Sequence, residues 1–256
     1  MNLKLNNTDF IDTNKPIDIS IPLSNSEDNI RAWSMKKPIF EAVSSQEFKG
    51  LVSEGGKLNF RNIFFNPHAH VTHTECLGHI TENIYSINKV LNTFFFRAKL
   101  VTIKPVSSHN NIDGLTDLVI TPDLIPSESL NTEALIVRTL PNNKNKKSMN
   151  YSSTNPAYFD VSCAEKIIKS SVKHLLVDLP SVDRESDNGN LAFHHAFWGV
   201  PNNPNFERTI TEMIFVDDKI MDGDYILTFQ VAPFENDASP SRPILYEINR
   251  PVSSCN

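Results

Sequence analysis

Cysteine is scarce: the chain has only Cys76, Cys163 and Cys255, and they lie far apart. So few and so scattered, they exclude a disulfide framework, and a reducing cytoplasm is the expected compartment. Long apolar runs are missing as well. The longest are strand-sized, far below the roughly 20 residues that a membrane-crossing helix needs. The opening Met1-Asn2-Leu3-Lys4-Leu5-Asn6-Asn7 lacks the apolar core of a secretion signal. Basic excess is absent too, with 24 Lys and Arg against 30 Asp and Glu and a net charge of −6. That balance argues against gripping phosphate backbones, so neither nucleic acid nor membrane is an expected partner. The one basic run, Asn143-Lys144-Asn145-Lys146-Lys147, sits among Asn and Ser and reads as a solvated loop. No internal repeat and no Pro-, Gly- or Ser-rich linker divides the chain, so residues 1–256 read as one domain.

What is present is an ordinary globular balance, 39% hydrophobic and 21% charged, in a chain long enough to bury a sizeable core. Short β-branched and aromatic runs dominate. Strands are expected at 17–21, 60–65, 99–106, 118–120, 134–140, 173–179, 211–216, 225–231 and 243–248. Helical patterns are fewer: 82–91, with Thr81 as its cap, and 164–172. The fold class is α+β, a strand-dominated mixed sheet with few helices.

Four of the eight histidines fall within twelve residues, in Pro67-His68-Ala69-His70-Val71-Thr72-His73-Thr74-Glu75-Cys76-Leu77-Gly78-His79. Crowded imidazoles repel one another once charged, so the cluster needs something to organise it. Imidazole with carboxylate suits zinc, manganese or iron. In extended chain, residues two apart share a face, so His73 and Glu75 can reach one ion. His68 joins them if the backbone bends, and a turn at Gly78 brings His79 over the same point. His70 is the expected odd one out, and Cys76 is expected as a buried, inert thiol. His109 and His174 read as ordinary surface or core residues. Far downstream, His194 and His195 precede Glu212, a lone acid among Ile210, Met213, Ile214 and Phe215. A carboxylate in such company is costly to bury unless paired or bound to metal, so His194 and Glu212 form a second candidate ligand set.

Taken in order, these elements resemble the cyclase family of metal-dependent hydrolases, which includes bacterial kynurenine formamidase and isatin hydrolase. The family carries His-x-Gly-Thr-His-x-Asp-x-Pro-x-His. His68, Thr72-His73, Glu75 and His79 match it, with one extra residue after His68. His194 and Glu212 match the family's later His and Glu, spaced further apart by a loop at Val200–Arg208. Asp178-Leu179-Pro180-Ser181-Val182-Asp183 and Ile17-Asp18-Ile19-Ser20-Ile21-Pro22-Leu23 match two further elements, so the likeness spans roughly residues 16–232. Glu75 stands where the family has Asp, Val71 where it has Gly and Leu77 where it has Pro. These departures mark a divergent subgroup.

The resemblance implies the swivelling β/β/α fold, a homodimer or homotetramer, and one or two divalent ions, zinc or manganese. It implies that His68, His73 and Glu75 hold one ion, with Glu75 bridging to a second held by His194 and Glu212. The implied reaction hydrolyses a C–N bond of a small aryl formamide, cyclic amide or similar carbonyl substrate through metal-activated water. His79 is cast as general base and then acid, with metal ligand as its other role. Trp33, Phe197 and Trp198 are candidates for the substrate wall, and Ser181 and Asp183 for bracing the histidine rings. Two competing readings are a metal-binding but inactive relative that serves as a scaffold, suggested by Glu75 and Val71, and a structural zinc module that uses Cys76.

Overall fold

In the computed structural model, which describes residues 1–110, 114 and 116–250, the chain opens with an antiparallel pair, β1 (Asn2–Lys4) and β2 (Phe10–Asp12). β3 (Ile17–Asp18) joins the edge of the main sheet. β4 (Ile39–Ala42) and β5 (Arg61–Phe64) leave that sheet and pair with each other as an arm. The short helix α1 (Pro67–His70) leads to β6 (His73–Glu75), and α2 (Ile87–Val90) to the long strand β7 (Phe95–Ile103). β8 (Val106–His109) and β9 (Thr116–Ile120) form a small side sheet, which β11 (Tyr158–Phe159) completes after β10 (Ala134–Thr139). The rest runs α3 (Val161–Ile168), β12 (His174–Val177), α4 (Ala192–Trp198), β13 (Thr209–Glu212), β14 (Gly223–Thr228), β15 (Ala238–Pro240) and β16 (Ile244–Glu247).

Nine strands make the main sheet in the order β15-β6-β13-β12-β10-β7-β14-β16-β3. The four central strands, β13, β12, β10 and β7, are parallel, and antiparallel strands flank them on both sides. β10 and β12 are buried along their whole length. That is why Ala134-Leu135-Ile136-Val137 reads as a continuous apolar run, as strands covered on both faces do. The strand-dominated mixed sheet with few helices is therefore the observed architecture. Among the described residues no helix is long and apolar enough to cross a membrane.

Most expected strands are present, with ends displaced by a few residues. The strand expected at 211–216 instead spans Thr209–Glu212, because Met213 takes a positive φ of 56° and turns the chain. The helix expected over 82–91 shrinks to one turn, Ile87–Val90. Thr81 does not cap it, because its hydroxyl donates to the carbonyls of Leu77 and Asn83. The helix expected over 164–172 starts earlier, at Val161, because Asp160 accepts from the Ser162 amide as its N-cap. The basic run is not wholly solvated. Lys146 is largely buried, its Nζ 2.8 Å from Asp178 Oδ2. Cys255 lies outside the described residues.

Candidate metal centre

Strand register builds the floor of the site. β6 lies between β13 and β15, and Glu212 is the cross-strand partner of His73. Opposite residues of an antiparallel pair share a face, as do residues two apart, so His73, Glu75 and Glu212 project together. Thr74 and Thr211 point to the other face, where their hydroxyls meet at 2.7 Å. All three of these acid and imidazole side chains are buried within the sheet.

One atom of each residue is spent on holding it in place, and another is left facing the centre. His73 Nδ1 lies 3.0 Å from the Val71 carbonyl. A carbonyl only accepts, so the proton sits on Nδ1 and the lone pair on Nε2. Glu212 Oε1 accepts from the Val182 amide at 3.1 Å, while Oε2 stands 3.4 Å from His73 Nε2. Val71 itself is extended, φ −158°, a backbone any residue adopts, so the family's glycine is not needed there.

His68 and His79 close over this floor. α1, capped by the Asn66 side chain, places His68 with Nδ1 3.0 Å from Glu75 Oε2. His79 sits on a tight turn, Leu77–Ile80, with its ring stacked on that of His68 at 4.2 Å. Gly78 makes that turn possible, because a Cβ there would stand 2.2 Å from the Tyr85 carbonyl oxygen. His194 enters from α4, with Nε2 3.1 Å from Glu75 Oε1 and Nδ1 2.5 Å from Asp183 Oδ2. Asp183 also accepts from the amides of Phe193 and His194, so one carboxylate fixes both the start of α4 and its ring.

Two donor groups result, each with its ligand atoms within 4.8 Å of one another: His68, Glu75 and His79, and His73, Glu75 and Glu212. Glu75 belongs to both. The sequence reading put His68 and His73 on one ion, but the fold divides them between the two groups, and it brings His79 within ligand reach. His194 stands beside Glu75 and 4.0 Å from Glu212. His70 is apart, as expected, its Nε2 2.8 Å from the Lys36 carbonyl. Cys76 is buried with its thiol on the Tyr85 carbonyl, and burial pushes its pKa up to about 12, so it is no ready thiolate.

The electrostatics fit a cation. Burial disfavours the charged rings of His68 and His194. Asp237 and Glu75, accepting from His68, and Asp183 and Glu75, accepting from His194, outweigh that and lift both to about 10. Burial would raise Glu75, yet the charge of His79 and the bonds of His194 and His68 hold it well below the usual carboxylate range. The pocket thus stabilises positive charge around Glu75. Even so, His73 Nε2 is buried without a hydrogen-bond partner, and Glu75 Oε2 has only the His68 ring beside it, at 3.0 Å. A buried atom so left is rare and costly, and a divalent ion between the two would satisfy both.

Above the floor opens a cavity of about 360 Å³, lined by Trp33, Asn66, His68, His79, Ser181, Arg184, Glu185, Asp187, Leu191, His194 and Glu212. Trp33 borders it, in a left-handed backbone (φ 59°), with its indole N–H on the His68 carbonyl at 3.2 Å. Phe197 and Trp198 do not border it. Both are fully buried, because α4 turns them into the core, and Trp198 packs against the His194 ring at 5.3 Å. Ser181 lines the cavity and takes the Asp183 amide at 3.1 Å. Asp237 is the residue that the sequence did not reveal. It sits just before β15, with Oδ2 2.8 Å from His68 Nε2 and 3.2 Å from His79 Nδ1. In the sequence it is one polar residue of the turn Glu235-Asn236-Asp237, with nothing to set it apart.

Residues 17–184 match the Cyclase family. Among solved structures, the chain is similar to a predicted metal-dependent hydrolase from Bacillus stearothermophilus at 17% identity and TM-score 0.61, over 91% of this chain and 98% of that one. It is similar to isatin hydrolase A from Ralstonia solanacearum at 13% identity and TM-score 0.62, over 91% of each chain. An isatin hydrolase bound to the product analogue thioisatinate aligns at 14% identity and TM-score 0.59, over 92% and 93%. A search of curated proteins gives no match.

Proposed function

Because this chain belongs to the Cyclase family, we propose that it is a metal-dependent hydrolase that cleaves a C–N bond of a small carbonyl compound, an aryl formamide or cyclic amide. The observation that carries the reading is the buried, unpartnered His73 Nε2 converging with carboxylate oxygens of Glu75 and Glu212 beneath an open cavity. His68, Glu75 and His79 would hold one divalent ion, and His73, Glu75 and Glu212 another, with His194 steadying Glu75. Zinc or manganese, when bound, would supply a Lewis acid and lower the pKa of a bound water towards about 7.

The chain's own groups do the rest. His79 faces the cavity with its side chain 30% exposed, the most open imidazole of the cluster, and Asp237 holds its Nδ1. With a single ion held by His73, Glu75 and Glu212, His79 Nε2 would stay free to take a proton from water and deliver it to the leaving nitrogen; as a ligand of a second ion it would give up that role. Asp183 orients His194 through Nδ1 and leaves Nε2 for Glu75. Trp33 offers a flat apolar wall for a ring, and Asn66 and Ser181 add polar groups near the carbonyl end. The fit of imidazole and carboxylate to both metals leaves zinc and manganese as the ions to test first.

The test is metal analysis of the purified protein, with turnover of a panel of aryl formamides, cyclic imides and lactams, with and without added manganese or zinc. Metal-dependent turnover of at least one of these supports the reading. Stoichiometric metal without turnover of any amide, lactone or ester favours the inactive scaffold instead, and failure to retain either metal removes both.

A further inference from the structure

A second cavity, of about 580 Å³, lies where the four parallel strands begin. Phe96, Glu133, His174 and Glu207 line it, each at or just before the start of β7, β10, β12 or β13. The candidate metal centre lies towards the other ends of these strands. From Thr209, beside His174, to Glu212 the chain runs about 10 Å, at about 3.3 Å per residue. The two cavities share no lining residue. The inner wall is aromatic, with the buried rings of Phe96 and His174 4.1 Å apart. At the rim two exposed rings, Tyr85 and Phe206, meet edge to face at 5.0 Å.

The polar groups indicate what fits. Each charge on the lining is engaged: Lys173 meets Glu207 at 2.7 Å, Lys89 meets Glu235 at 3.1 Å, and Glu133 accepts from the Arg97 amide at 2.9 Å. A charged ligand therefore finds no counterpart here. His174 differs. Its Nδ1 lies 2.9 Å from the Thr209 hydroxyl, but Nε2 has no hydrogen-bond partner among the described residues, although the residue is only 5% exposed. A buried polar atom left over in this way points to a ligand. Burial, with the charge of Lys173, pushes the ring down to about 4, so it is neutral at pH 7 and offers one donor or one acceptor at Nε2. We propose that this cavity binds a small neutral aromatic compound bearing a hydroxyl group, its ring between Phe96 and Phe206 and its hydroxyl on His174 Nε2. A hydroxyl both donates and accepts, so it satisfies either tautomer of the imidazole. Apolar walls around a few convergent polar groups, in roughly 300–1,000 Å³, are the general pattern of small-molecule sites. Tyr85 joins this cavity to the metal centre: its carbonyl takes the Cys76 thiol at 3.2 Å and abuts Gly78, next to His79. The inference goes beyond the proposed hydrolysis and does not depend on it.

Titration of the purified full chain with 4-methylphenol, toluene and 4-hydroxybenzoate, followed by NMR, tests it. 4-Methylphenol is expected to bind with a dissociation constant below about 1 mM. Toluene, which lacks the hydroxyl, and 4-hydroxybenzoate, which adds a charge, should each bind at least about tenfold more weakly. His174→Phe keeps an aromatic wall but removes Nε2. It should abolish the preference for 4-methylphenol over toluene while leaving toluene affinity within about twofold. Phe206→Ala, at the exposed rim where the fold does not depend on it, is the second variant and should weaken both ligands by about threefold or more. No binding of 4-methylphenol at about 10 mM overturns the proposal, as does toluene binding equally well. So does 4-methylphenol binding that survives both variants and is lost instead in Trp33→Ala, which would place the ligand in the cavity over the metal centre.

Discussion

Two carboxylates, Glu75 on β6 and Asp178 just past β12, are buried completely, yet their pKa values shift in opposite directions. Asp178 follows β12. Its Oδ1 accepts from the Thr139 hydroxyl at 2.8 Å, and its Oδ2 from the Thr139 amide at 2.9 Å and Lys146 at 2.8 Å. Burial still pushes its pKa up, and every oxygen has a partner. Glu75 has no lysine. Three imidazoles surround it and hold its pKa down, and Oε2 has no partner but the His68 ring at 3.0 Å. Two histidines repeat the contrast. His194, between carboxylates, is lifted to about 10, whereas His174 meets only the Thr209 hydroxyl and two aromatic rings and falls to about 4. Burial alone therefore does not mark a site. A closed network is structural, and a network with atoms left over is where a ligand belongs.

The largest effect is expected where the open network is cut. His73→Ala removes the unpartnered ring nitrogen, and a loss of several kcal/mol of metal stabilisation corresponds to about 10³-fold in turnover. Metal content by elemental analysis should fall with it, while the fold survives. Full metal and full activity in this variant would sink the candidate centre. The closed network should respond the other way. Lys146→Ala leaves Asp178 buried and unpaired, at a cost of about 3–5 kcal/mol in unfolding stability. Urea denaturation measures it, and metal content per folded molecule should stay constant. Lys146→Met with Asp178→Leu should recover most of that loss, because an apolar pair of similar volume replaces the ions.

Much of this was legible in the sequence, for physical reasons that can be named. β10 and the β6 ligands announce themselves, because an apolar run and an i, i+2 pair of ligands are local patterns. Glu212 stood out as an acid among Ile210, Ile214 and Phe215, and the sheet places it against His73. What failed to show depends on partners distant along the chain. Asp237 acquires its place only when β15 docks on β6. Phe197 and Trp198 flank His194 in sequence, but the rotation of α4 that aims His194 at Glu75 turns these two inward. The division of His68 from His73 likewise follows from α1, a bend no periodicity in a short histidine-rich stretch can reveal.

His174 sharpens the imidazole half of the comparison. Its folded pKa, about 4, lies below the ordinary 6.5, so the unfolded chain binds a proton that the folded one refuses. The stability it secures is present above pH 6.5 and is lost as pH falls from 6.5 towards 4, by about 3 kcal/mol at most. Urea melts across that window should show the slope in the wild type and lack it in His174→Phe. An equal slope in both would mean that other groups carry the acid sensitivity.

The smallest expected effect tests whether Asp237 belongs to the open network or merely borders it. Its carboxylate bonds His68 Nε2 and His79 Nδ1, the nitrogens opposite those that face Glu75. An outer carboxylate of this kind fixes ring orientation and raises ligand basicity, and its loss costs about 10–100-fold in metal affinity. Asp237 is part-exposed, with 15% of its side chain open to water, so Asp237→Asn is expected near the tenfold end, read by competition with a chelator. The asparagine keeps a carbonyl for one ring but loses the charge that both rings share. Affinity unchanged in this variant would show that the two histidines take their orientation from Glu75 alone, and the outer layer of the site would then end at Asp183.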